Sequence, residues 1–435
     1  MSLRSALAIL TVGSAFLFGI CPLARADRAP ADQYLNYALD SCGRTKAQMP
    51  QITQVAETVA NRHIQGGTIG FLYNGQGLDN ELSGRSGGMM NLGPQPSWTT
   101  APRTDAQKAN DVVIAGWQRA PRVEDLAALR EFRKAGDYII GFGPRTMPEL
   151  AAYVPLCDVW FDTGLGADDR VAHYHGGSAG HANLLVEMLD AWTLTAEIVG
   201  ALTRQGKMPV MWKSFSYADG RDWMGLYMGK MQFHTDYTIA PYPPGVLGGQ
   251  FIDAIRGNLH WFKDNQLDRL NQSAALVVAE SKAGRKSVVA GMGHSVFSYI
   301  GQYEDGAWCQ GIGMEDGTGA EGANFQKATP DGALVLRLGY TGLHHDAMDA
   351  FRAKKQRVIL IAVPNPRPEW QLPADVELYI DMGWKFGDAA VTVPGYPIRI
   401  LPPSGIMEMA AYQSIAADVA AGLPEVEPVS VVVGP

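Results

Sequence analysis

Glu81 and Arg85 follow a glycine turn, Asn74-Gly75-Gln76-Gly77, and stand four residues apart. At that spacing two side chains share a helix face, so the pair reads either as an intrahelical ion pair or as a carboxylate placed for proton transfer. Histidines supply a complementary group. His173, His175 and His181 lie in a glycine-rich stretch, His294 lies inside a second turn, Gly291-Met292-Gly293-His294-Ser295, and His344-His345-Asp346 opens a helix. Imidazole titrates near neutrality, so carboxylate and histidine together suit general acid–base chemistry. Ser178, Ser295, Thr341 and Ser404 add hydroxyls close to glycines, Asp79 a carboxylate, Arg119 a cation, and Trp117 and Tyr340 flat faces for stacking. His173, His175 and Glu81 include enough ligand types for zinc, but no ligand spacing joins them, so neither a metal nor another cofactor is expected.

These residues need a scaffold, and the hydrophobic pattern supplies one twice. In the first half a helical stripe, Ile52, Val55, Ala56, Val59 and Ala60, precedes a strand over 68–73 and the first glycine turn. A strand at Asp111-Val112-Val113-Ile114, a helix over 123–134, a strand over 138–142 and the run Asp158 to Gly164 follow. The second half repeats the order: a stripe at Leu267, Leu270, Ala274 and Val278, a strand over 286–290, and the second glycine turn. Then come a strand at Ala333-Leu334-Val335-Leu336, a helix over 346–354, a strand over 357–363, and Asp375 to Gly383. Gly75 and Gly291 are 216 residues apart, Phe132 and Phe351 219, and Gly164 and Gly383 219. So small a drift predicts an internal duplication. Strands alternating with helices predict an α/β fold, each half a mainly parallel sheet flanked by helices in three layers. A Pro/Gly-rich linker, 241–249, separates the halves.

Composition narrows the function. The 435 residues carry a net charge of −8, with no basic stripe, which argues against nucleic acid. A 46% hydrophobic content is enough for a large core. The N-terminus reads as a cleaved secretory signal over 1–26: Arg4, then the apolar run Ala6 to Ile20, then Ala24-Arg25-Ala26. A periplasmic or secreted protein with no membrane association after cleavage is expected. Cys42, Cys157 and Cys309 then remain, too few for a disulfide framework and best read as buried or unpaired thiols. Gly75-Gln76-Gly77-Leu78-Asp79-Asn80 lacks the third glycine of a dinucleotide fingerprint, and neither a P-loop nor a GxSxG elbow is present.

The run from Leu72 to Gly88, with Glu81, Arg85 and Gly87-Gly88 behind its turn, resembles the first strand, turn and helix of the SIS family of sugar-phosphate isomerases and binding modules. Gly291 to Ser295 resembles the same turn in a second copy. Gly387-Asp388-Ala389 through Pro402-Pro403-Ser404-Gly405 resembles the hydroxyl loop before the family's last helix, with Gly176-Gly177-Ser178 in the corresponding place of the first half. The resemblance implies two SIS-like domains over 27–240 and 250–420, with a tail over 421–435, and is compatible with a homodimer. It implies a carbohydrate derivative bound by Asn74, Gly75, Gly77, Asp79, Trp117, Arg119, Ser178, Gly291, Gly293, Ser295, Tyr340, Thr341, His344 and Ser404. It also implies aldose–ketose isomerisation through an enediol, with Glu81 as the catalytic carboxylate and His173, His175 or His294 as partner. Trp117-Gln118-Arg119 stands where the family carries phosphate-binding hydroxyls, and Leu78-Asp79 where another is usual. A phosphate site is therefore doubtful in the first half and open in the second, and a neutral sugar is preferred. The alternative is a non-catalytic sugar-binding or sensing protein.

Overall fold

Short apolar runs without polar alternation build two buried parallel sheets. The computed structural model describes residues 29–95, 104–291, 295–314, 327–339, 342–343, 345–368, 372 and 374–423. The signal segment 1–26, most of the tail 421–435, and Gly293, His294, Tyr340, Thr341 and His344 lie outside them. In chain order the elements are α1 (Pro30–Ala47), α2 (Met49–Ile64), β1 (Ile69–Leu72), α3 (Leu78–Leu82), β2 (Leu92–Gln95), α4 (Asp105–Lys108) and β3 (Val112–Gly116). Then come α5 (Val123–Ala135), β4 (Tyr138–Gly143), β5 (Val159–Asp162), β6 (Arg170–Tyr174), β7 (Gly177–His181), α6 (Asn183–Arg204), α7 (Gly220–Tyr227) and α8 (Val246–Lys282). The chain continues through β8 (Ser287–Gly291), β9 (Cys309–Met314), β10 (Leu334–Leu338), α9 (His345–Ala353), β11 (Arg357–Ala362), β12 (Leu378–Asp381) and α10 (Ser404–Gly422).

The first sheet has the order β2-β1-β3-β4-β5 and the second β9-β8-β10-β11-β12, the same order twice, and every pairing in both is parallel. Side chains alternate between faces. Val112 and Ile114 enter the central core, whereas Val113 and Ala115 pack outward with Leu129 of α5. Leu334 and Leu336 likewise face inward, while Val335 packs with Phe351 of α9 on the far side. Between the sheets lies one continuous apolar core to which α1, α2, α6, α8 and α10 all contribute. Burial of each large apolar side chain there stabilises by roughly 1.5–3 kcal/mol.

Helix α6 is buried from Asn183 to Thr203, as expected for a helix apolar on nearly every face. Its Glu197 accepts the N–H groups of Gly245 and Gly248 at 2.8 Å each, so a carboxylate sits at the positive end of α8. Helix α8 begins at Val246, inside the segment read as a linker, and runs for 37 residues against α1, α6 and α10. The glycine-rich stretch from His173 to His181 is a β-hairpin of β6 and β7, not an open loop, with His173 opposite Ser178. Among the described residues no helix is long and apolar enough to cross a membrane.

Candidate functional site

The strand ends of the first sheet carry the first glycine turn. Gly75 at φ +69° and Gly77 at φ +108° take conformations that favour glycine. Backbone amides of such a turn suit an anion, but here the chain fills them itself. Asp79 accepts the N–H of Gly75 at 2.8 Å and that of Gly77 at 3.0 Å. Gln76 accepts those of Gln118 and Arg119 at 3.1 and 3.2 Å. Asp162 takes Arg145 and Gly164, each at 3.0 Å, and Asp169 takes Ala182 and Asn183 at the start of α6, at 3.0 and 2.8 Å. Asn74 is buried and donates to the Gly116 carbonyl. Trp117 is not a stacking face for a ligand: it is fully buried, lies parallel to Trp160 at 5.6 Å and donates to Asp125. The local reason is strand alternation, which sends it to the α5 side of the sheet.

Helix α3 then carries its polar residues across to the other half. Glu81 is fully buried and accepts the indole N–H of Trp192 at 3.0 Å. The predicted Glu81–Arg85 ion pair is present at 3.6 Å, although α3 ends at Leu82 and Arg85 lies beyond it. Arg85 donates to the Ser404 hydroxyl and stands 3.6 Å from Asp388. Asp388 accepts the Ser404 hydroxyl at 2.9 Å and its N–H at 3.2 Å, holding the first turn of α10. Gly405 must be glycine here, because a Cβ would come 2.3 Å from the Glu81 carboxylate. Glu408, one turn on from Ser404, is fully buried, and neither carboxyl oxygen has a hydrogen-bond partner among the described residues. Burial pushes its carboxyl up to about 8; Arg85 and Arg337 oppose that rise, while Asp388 and Glu81 add to it. Asp388 is likewise raised by burial and restrained by Arg85. Asp388 at φ +47° and Leu401 at φ +67° are two of the three non-glycine residues described with positive φ, and such strain gathers at functional sites. The Leu401 N–H donates to the Gly87 carbonyl, closing the seam.

A second junction mirrors this one. The segment after β8 crosses to the strand ends of the first sheet: Ser298 accepts from Asn80 at 3.2 Å, and Gln302 accepts from Arg119 at 3.4 Å. Tyr303 stacks on Tyr299 at 4.9 Å and on His181 at 4.0 Å. His181 bonds Asp169 through Nδ1 at 2.5 Å. Glu187 is fully buried and accepts from Gln118 at 3.4 Å through one oxygen; the other has no partner among the described residues. Ser295, at the start of this segment, is buried with its hydroxyl equally without a partner.

The other expected residues fall elsewhere. His173 and His175 are exposed on the hairpin and share no partner with Glu81, so the structure does not bring them to that carboxylate. Ser178 is half-buried on β7 and is not the counterpart of Ser404. That place belongs to Asn183, the first residue of α6, which accepts from Thr163 at 2.7 Å. Gly291 is the last residue of β8. Sequence reading missed Asp169, Asn183 and Glu187. A signal was present: Asp169 and Asp388 are 219 residues apart, and Glu187 and Glu408 are 221 apart, close to the other repeats. Cys42, Cys157 and Cys309 are free, and among the described residues no group of three His, Cys, Asp or Glu could hold a metal.

No family model matches the chain, and no curated protein does. Among solved structures it is similar to the C-terminal domain of glucosamine-fructose-6-phosphate aminotransferase from Francisella tularensis. The identity is 10%, the TM-score 0.44, and the match covers 88% of this chain and 96% of that one. A protein from Clostridium difficile 630, provisionally named a phosphosugar isomerase, matches at 10% identity and TM-score 0.47, over 88% and 92% of the two chains. One from Salmonella typhimurium LT2, provisionally named sugar-binding, matches at 12% and 0.45, over 89% and 98%. At these TM-scores the α/β assignment rests on the strand orders and registers above.

Proposed function

We propose that this protein is an exported, duplicated SIS-type protein that binds a carbohydrate derivative at the seam of Glu81, Arg85, Ser404 and Glu408. We also propose that it isomerises its ligand by proton transfer. One observation carries this reading. Two carboxyls lie in one buried cluster with different partners: Glu81 is ion-paired with Arg85 at 3.6 Å, while Glu408 has no hydrogen-bond partner among the described residues and is pushed up to about 8 by burial. A carboxyl beside a cation suits the base, and one raised by burial suits the acid. Glu81 removes the proton on the carbon beside the carbonyl, and the Glu408 proton passes to the carbonyl oxygen, giving an enediol. Returning the first proton to the neighbouring carbon and a hydroxyl proton to Glu408 completes the exchange, with no redox change. Both carboxyls are closed to solvent, so ligand access requires the seam to open. The resemblance of the motifs to the SIS family, and the placing of Glu81 behind the first glycine turn, support the substrate class.

A second reading, a non-catalytic sugar-binding or sensing protein, is favoured by the complete burial of Glu81. Glu81→Gln separates the two. Reducing sugars, sugar acids and sugar phosphates are screened for stabilisation and for aldose–ketose interconversion. The isomerase reading expects turnover that collapses in the variant while ligand stabilisation persists. Stabilisation without turnover in the wild type would favour the second reading, and no stabilisation by any of these compounds would remove both.

A further inference from the structure

Asp388 and Leu401 stand at the two ends of one segment, and both hold a positive φ, +47° and +67°, that a side chain disfavours. Between them the chain doubles back as a hairpin. Val391 and Ile400 exchange N–H···O bonds at 2.9 and 2.8 Å, and Ala390 donates to Leu401 at 2.7 Å. Val393, Tyr396 and Ile398 face the core, while Thr392, Pro394 and Pro397 face solvent. The two prolines fix φ near the tip and stiffen it. The base of the hairpin rests on Gly87, two residues beyond Arg85. A Cβ there would come 2.7 Å from the Leu401 nitrogen and 3.3 Å from the Ala389 side chain. Both ends are rooted in the buried cluster: Asp388 accepts from Ser404 and stands by Arg85, and Leu401 lies three residues before Ser404.

The tip is tied to the first half through side chains. The Tyr396 hydroxyl accepts the Met211 N–H at 3.3 Å and meets His234 Nε2 at 2.9 Å. His234 Nδ1 lies 2.7 Å from Asp236, whose other oxygen accepts the Tyr227 hydroxyl at 2.7 Å. The Trp223 indole donates to the Met211 carbonyl at 2.9 Å. Trp223, His234 and Tyr237 also pack around the Tyr396 ring, at 6.1, 5.2 and 5.7 Å between centroids. Away from water, such a bond is stronger than an exposed one. Strained residues at both ends of a two-faced segment, with a bonded tip, are the build of a hinged strap, because hinges are a few element-terminal residues that absorb a change in φ and ψ.

We infer that residues 388–401 form a flap at the Glu81 seam, hinged at Asp388 and Leu401 and held shut by Tyr396 on His234. The flap supplies the opening that a cluster closed to solvent requires, and it rests on the reading above for the seam as the ligand site.

Residue-resolved hydrogen exchange on the full chain without ligand tests it. Tyr396→Phe keeps the ring and removes the hydroxyl. The Leu401 N–H, bonded to Gly87 across the seam, is expected to exchange at least tenfold faster in this variant. The Val391 and Ile400 amides, bonded within the flap, and the amides of α6 are expected to stay within about twofold of the wild type. His234→Phe removes the same bond from the other side and is expected to give the same pattern, which keeps the test open if Tyr396→Phe does not fold. The proposal is overturned if Leu401 exchange is unchanged in the folded variants. It is equally overturned if Val391 and Ile400 speed up as much as Leu401, since the hairpin would then melt rather than swing, or if α6 speeds up with them, since the loss would then be global. The readout needs no sugar, so absence of binding or turnover at Glu81 removes the reading above and leaves this result standing.

Discussion

Glu408→Gln tests the buried cluster through stability rather than activity. Glu408 is fully buried, neither oxygen has a hydrogen-bond partner among the described residues, and its carboxyl is raised from 4.5 to about 8. A carboxyl whose folded-state value is raised binds its proton more tightly folded than unfolded. Its contribution is therefore complete below about pH 4.5 and is lost as pH rises toward 8. At about 1.4 kcal/mol per unit, the full displacement is on the order of 5 kcal/mol. Between pH 6 and 8 roughly 2–3 kcal/mol of this should disappear. Glutamine keeps the shape and cannot ionise. Urea unfolding of both proteins at pH 6, 7 and 8 reads the effect as the difference between their slopes, which cancels contributions from other groups. The wild type should lose stability relative to the variant across that range. Parallel slopes would refute the reasoning, since Glu408 would then be ionised in the folded protein or solvated.

Other perturbations have distinct signatures. Arg85→Met removes the guanidinium beside Glu81 and Asp388 and leaves two buried carboxyls without their shared cation; a loss of about 3–5 kcal/mol is expected by chemical denaturation. Gly405→Ala puts a Cβ 2.3 Å from the Glu81 carboxylate, so a melting-temperature scan should show destabilisation, and ligand stabilisation should weaken with it. His63 is buried and lowered to about 4 by desolvation, with its Gly67 hydrogen bond opposing. The neutral ring's contribution is present above pH 6.5 and lost as pH falls toward 4, so His63→Gln should flatten the acid limb of the stability profile.

The sheets were legible because their strands are short apolar runs with turns between them. The strands expected over 138–142 and 357–363 appear as Tyr138–Gly143 and Arg357–Ala362. Helix α6 was not legible, since a helix buried on every face has no amphipathic stripe to read. The edge strands β2 and β9 were missed as well, being short and rich in glycine, glutamine or proline. At the site, Glu81, Arg85 and Ser404 stood out by residue type and by motif, yet their meeting depends on α3 crossing to the far half, a tertiary fact no local pattern encodes. The same limit explains Trp117: its type suits stacking, but β3 aims it into the packing beneath α5. The turn residue Asp79 looked like a ligand contact, whereas it accepts the N–H groups of Gly75 and Gly77 itself.

Hydrogen exchange at the carbon next to a sugar's carbonyl, followed by NMR in heavy water, reads the proposed proton transfer even when net conversion is small. The account predicts label incorporated into at least one reducing sugar by the wild type, and incorporation slowed by at least a hundredfold in Glu81→Gln while that sugar still stabilises the variant. Incorporation at an undiminished rate in Glu81→Gln, or none with any sugar that binds, would contradict it.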